Sequence, residues 1–207
     1  GVVSAMCRRL LCYGDSNTYG YDPRSYLGGR YPESVRWTAL LRGYGWDVIN
    51  RGENGRCIPH GDGEIKAAVQ SLCRVEADIL TVMLGSNDLL QPSCPSAREC
   101  ADRMERFLTA LLHADSWEKS REILLIAPPP MALGDWVQDE KTIAASHSLA
   151  ECYEDVARLL NISFADAGSW EIGLTYDGVH FSEMGHLAFA EGIHQALSKL
   201  VSKDCGD

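Results

Sequence analysis

The sequence predicts an α/β protein, a five-stranded parallel sheet packed between helices. Three observations predict it. Five short apolar runs are continuous rather than alternating, as strands covered on both faces require. Longer segments with helical periodicity separate them, which suits right-handed crossovers between parallel strands. Blocks of small and polar residues follow four of the five runs, so they would gather at the carboxyl edge of the sheet, where open parallel sheets bind ligands.

The first apolar run is residues 10–13, followed by a loop at 22–33 rich in Gly, Pro and Tyr and a helix over 34–45. A second strand at 46–50 leads to a helix at 62–74, and a third at 79–84 leads to a helix at 96–114. The fourth strand, 123–127, is stopped by Pro128-Pro129-Pro130, because three prolines cannot continue a hydrogen-bonded ladder. A helix at 140–160, a fifth strand at 162–165 and a last helix at 183–202 complete the series. In that last helix Leu187, Ala190, Ile193, Leu197 and Leu200 recur at helical spacing. No internal repeat, low-complexity tract or linker interrupts the pattern, so residues 1–207 read as a single domain. A strand order of 2-1-3-4-5 would put the switch point between strands one and three.

Charge narrows the function classes. A net charge of −10, with 19 basic residues and no basic run, argues against nucleic acid as a partner, since such binding rests on neutralising phosphates. No apolar stretch reaches 18 residues, and residues 1–9 lack the apolar core of a signal peptide. Eight cysteines (Cys7, Cys12, Cys57, Cys73, Cys94, Cys100, Cys152, Cys205) include no Cys-x-x-Cys pair, and two fall inside a strand-like run or a helix. Free thiols in a reducing cytoplasm are therefore the expectation.

The chemistry lies in four blocks. Asp177-Gly178-Val179-His180 places a carboxylate three residues ahead of an imidazole, close enough to hold Nδ1–H and leave Nε2 to accept a proton. Ser16, in Gly14-Asp15-Ser16, would supply that proton, completing the composition of an acyl-transfer triad. Asn87, in Gly85-Ser86-Asn87-Asp88, and Gly55, after Asn54, add donors for an oxyanion, together with the N–H of Ser16. Each block also has a plainer reading. Ser16 could be a helix N-cap, Asn87 a turn residue ahead of an Asp88 N-cap, and Gly55 a relief for positive φ. These explain each block alone but not their common edge. The segment at Ser16 is not a Gly-x-Ser-x-Gly elbow, since Thr18 stands in place of the second glycine. His180, His186 and His194 are not spaced as metal ligands, so no metal is expected.

In this order the four blocks resemble those of the SGNH (GDSL) hydrolase superfamily and span nearly the whole chain. Val35-Arg36-Trp37-Thr38, Ala127-Pro128-Pro129-Pro130 and Asp166-Ala167-Gly168-Ser169 look like its bacterial arylesterase/acyltransferase branch. Asn54 departs from the commoner serine, which bears on substrate preference. The resemblance implies a flavodoxin-like three-layer α/β/α sandwich and no cofactor. It implies Ser16 as nucleophile, His180 as general base, Asp177 as its support, and Ser16, Gly55 and Asn87 as the oxyanion hole. Asp15, Asn17, Trp37, Asn54, Pro129 and Val179 are the candidates for a substrate pocket, and Tyr19, Tyr21, Tyr26 and Tyr31 are further candidate walls.

The expected partner is a small soluble ester with a short acyl group, hydrolysed or transferred to another alcohol. Rate should rise through about pH 6–7 as an imidazole loses its proton. An acetyl-carbohydrate esterase, a thioesterase and a non-catalytic binding protein are the rival readings. A flavodoxin-like nucleotide binder is a weaker one, because no Gly-x-Gly-x-x-Gly or Walker loop is present. Related enzymes can be homo-oligomeric, but residues 22–33 carry no readable interface code.

Overall fold

The computed structural model describes residues 8–25 and 28–204, the side chains of residues 203 and 204 excepted. Cys7, Cys205, Tyr26 and the start of the segment read for a signal peptide lie outside the described residues.

Five strands form one parallel sheet: β1 (Arg9–Gly14), β2 (Asp47–Gly52), β3 (Ile79–Met83), β4 (Glu122–Ala127) and β5 (Ser163–Asp166). Their order is β2-β1-β3-β4-β5, as expected. β2 runs two residues beyond the expected end because β1 continues to Gly14 and pairs it with Gly52. Alternate side chains of each central strand enter different cores. Leu11, Tyr13, Leu80, Val82, Ile123 and Leu125 pack with residues of α3 (Asp62–Cys73), α5 (Ala97–Leu112) and α6 (Glu140–Leu160). Leu10, Cys12, Ile79, Leu124 and Ile126 pack with α2 (Trp37–Leu40) and α7 (Glu183–Asp204). Burial on both faces is the physical reason the strands read as unbroken apolar runs.

Capping fixes several boundaries. Ser96 accepts from the N–H of Glu99 at the start of α5, and Asp139 accepts from that of Lys141 at the start of α6. The helix expected over 34–45 is shorter: Pro32–Arg36 form a turn, Arg36 is extended, and α2 passes directly into a 3-10 turn at Leu41–Tyr44. Two one-turn helices, α1 (Ser16–Tyr19) and α4 (Ser86–Leu89), follow β1 and β3. Cys12, Cys57, Cys73, Cys94, Cys100 and Cys152 are free thiols. Among the described residues no helix is long and apolar enough to cross a membrane.

Candidate active site

The end of β1 positions Ser16. Its bland reading as an N-cap is corrected by one residue: Asp15 is extended and its carboxylate accepts the N–H of Asn17, while Ser16 is the first helical residue. The loop after β5 positions His180. Asn17 ties the two together across the fold, donating from Nδ2 to the carbonyl of Val179 (3.1 Å) and accepting the N–H of Phe181 at Oδ1 (3.0 Å). One buried carboxamide thereby clamps the Ser16 turn to the His180 turn.

The three expected side chains meet. The His180 ring bonds Asp177 Oδ2 through Nδ1 at 2.6 Å and Ser16 Oγ through Nε2 at 2.9 Å. Asp177 is fully buried, and burial works against its charge. The His180 ring and the backbone N–H groups of His180 and Val179, both 2.9 Å from Oδ1, outweigh that cost and hold the carboxyl at about 2. An ionised Asp177 only accepts, so Nδ1 carries the ring proton and Nε2 is left to accept from the serine hydroxyl.

Gly55 and Asn87 follow β2 and β3, on either side of the β1 end. Gly55 has φ +79°, which favours glycine, and, its chain neighbours apart, no atom of the described residues lies within 4 Å of where its Cβ would be, so that position is open. Asn87 lies within α4, and the residue capping that helix is Gly85, not Asp88 as in the plainer reading. Asn87 Nδ2 donates to the carbonyl of Arg56 (3.1 Å), fixing the plane of the carboxamide. Asp88 is buried instead. Its Oδ1 accepts the N–H of Ile58 (3.0 Å) and its Oδ2 the guanidinium of Arg103 (3.0 Å), which braces the Gly55 loop against α5. Burial pushes the Asp88 carboxyl up, against the pull of those two donors.

Most residues of the expected pocket are buried, as the triad itself is. Trp37 is only 1% exposed, packs on Phe189, and donates its indole N–H to the carbonyl of Asn17. Asp15, Asn17, Pro129 and Val179 are also buried; Asn54 is exposed. Among the tyrosines, Tyr31 is buried and Tyr21 lies edge-on to the His180 ring, 4.8 Å between centroids. The aromatic residue the sequence did not single out is Trp136, 5.0 Å from that ring. It stands in a loop without periodicity, and only the fold brings it to His180. A cavity of about 590 Å³ beside β5, lined in part by Phe164, Trp170 and Lys199, holds none of these groups. Chemistry, rather than volume, marks the site.

A family model, that of the GDSL-like Lipase/Acylhydrolase family, matches residues 12–188. No curated protein sequence matches the chain. Among solved structures, a carbohydrate acetylesterase family member from Sinorhizobium meliloti is 28% identical, with a TM-score of 0.81 over 94% of this chain and 99% of that one. An aryl esterase from M. smegmatis is 27% identical, with a TM-score of 0.76 over 91% and 99%.

Proposed function

This chain belongs to the GDSL-like lipase/acylhydrolase family of the SGNH hydrolases, and on that premise we propose that it is a serine esterase cleaving short-chain acyl esters of small soluble alcohols. The observation that carries the reading is the continuous contact Ser16 Oγ–His180–Asp177, at 2.9 and 2.6 Å.

In the proposed reaction Ser16 Oγ attacks the acyl carbon as His180 Nε2 takes its proton, giving a tetrahedral intermediate whose oxyanion faces Gly55, Asn87 and the Ser16 N–H. The C–O bond to the alcohol then breaks, and His180 returns the proton to the departing oxygen. An acyl-serine remains. Water attacks it with His180 again as base, restoring Ser16 and releasing the acid. A second alcohol in place of water gives acyl transfer. Asp177, held at about 2, stays ionised throughout the neutral range and keeps the ring in the working tautomer. A carbohydrate as the alcohol half is the second reading, favoured by the likeness to the Sinorhizobium meliloti structure.

The test is mass spectrometry of protein quenched during turnover of p-nitrophenyl acetate. One acetyl group on the Ser16 peptide is the expected result, with both adduct and turnover lost in Ser16→Ala. Turnover by Ser16→Ala at the wild-type rate would overturn the assignment.

A further inference from the structure

We propose that Trp136 is the leaving-group platform of this site, and hence that the preferred substrates are esters whose alcohol half carries a flat ring. The inference rests on the esterase reading and extends it to a specificity-determining residue.

The side of the site follows from the proton's path. His180 Nε2 must pass its proton to the departing oxygen, so that oxygen lies within hydrogen-bond reach of the imidazole, whereas the carbonyl oxygen turns away toward the amide donors. Side chains packed on the imidazole therefore flank the alcohol half of the ester. Two rings do so. Trp136 meets the His180 ring at 5.0 Å and 85°, and Tyr21 meets it at 4.8 Å and 62°.

Trp136 is suited to hold a ligand because it is both exposed and anchored. The residue is 52% exposed, a large apolar surface standing in water beside a buried catalytic ring. Its backbone is bound to the triad's own turn: the N–H of Trp136 donates to the carbonyl of Asp177 (3.1 Å), that of Asp135 to Tyr176 (3.2 Å), and that of Ala132 to Gly178 (3.0 Å). Gly134 lies flush against that turn, since a Cβ there would come within 2.4 Å of the Asp177 carbonyl carbon. Buried Val137 closes the loop by bridging to Gly134. The indole thus has a fixed base, and seating a ring on it requires little ordering of the loop. A phenol's π face or the apolar C–H face of a pyranose offers the same flat, apolar surface.

The experiment compares three acetyl esters, phenyl acetate, a monoacetylated methyl xylopyranoside and ethyl acetate, on wild type, Trp136→Ala and Trp136→Phe. In Trp136→Ala, kcat/KM for at least one ring ester relative to ethyl acetate should fall about tenfold, the worth of one aromatic stack, and Trp136→Phe should recover most of it. Whichever ring ester loses more identifies the natural ring as aromatic or sugar. All three substrates yield the same acetyl-enzyme, so the loss must appear in the acylation burst. An unchanged ratio, an equal fall for all three esters, or a matching slowdown in hydrolysis of preformed acetyl-enzyme would each overturn the proposal. Failure of wild type to acylate Ser16 with any of the three would instead remove the esterase reading, and this inference with it.

Discussion

Asn87 shows how little of a side chain's role is local. One amide hydrogen is committed to the carbonyl of Arg56, and that bond fixes where the other points. If the other serves the oxyanion, Asn87→Ala should lower kcat for p-nitrophenyl acetate by about 10²–10³, with KM and thermal stability changing far less. Retention of wild-type kcat would remove Asn87 from the oxyanion hole. The block holding Asn87 was legible in the sequence, as were those holding Ser16 and the pair Asp177 and His180, because the first two stand close behind β3 and β1 and the third lies between β5 and the last helix. The orientation of Asn87 was not, since the fixing partner is a main-chain carbonyl 31 residues away. Trp37, a candidate for the pocket, is likewise fixed by distant partners: its N–H serves the Asn17 carbonyl and its ring fills the core.

At the scale of elements, α4, α5 and the Gly55 loop are joined through one carboxylate. Asp88 is completely buried, and Arg103 of α5, about a fifth exposed, is its only cationic partner among the ion pairs of the described residues. Removing that partner would strand a buried charge, so Arg103→Met should cost about 3 kcal/mol in urea denaturation. The same change should lower kcat more than it raises KM, because Asp88 also holds the Ile58 N–H and with it the loop bearing Gly55. Unaltered stability and kcat would show that the pair is dispensable. Nothing in the sequence marked this brace, because Asp88 and Arg103 are 15 residues apart on different helices. The strands and long helices were legible, since apolar runs and helical periodicity persist over enough residues to show. A single turn such as α1 or α4 is too short for a period, and the residues that start them, Asp15 and Gly85, precede the caps of the plainer readings, Ser16 and Asp88.

Across the whole molecule, two buried titratable groups bend the stability curve in opposite directions. Burial raises the Asp15 carboxyl to about 6, although the Asn17 N–H and His180 favour its charge. Between about pH 4 and 6 the native state therefore holds a proton that the unfolded chain has released, and stability falls as pH rises. His186 does the reverse. Burial, with Arg36 adding to it, lowers the ring to about 4, and its Nδ1 accepts the N–H of Trp37, leaving a buried Nε2–H without a partner among the described residues. The unfolded chain takes up a proton between about pH 6.5 and 4 that the native state refuses, so this contribution is lost as pH falls. Each effect amounts to about 3 kcal/mol, and together they nearly cancel. Single substitutions should uncover them. Asp15→Asn keeps an oxygen to cap α1 and should leave a chain whose stability, relative to wild type, improves by about 3 kcal/mol from pH 4 to 7. His186→Asn keeps an acceptor for Trp37 and should shift by a similar amount in the opposite sense. Urea denaturation of the three proteins at both pH values checks the pair, and parallel profiles would show that neither group titrates abnormally in the fold.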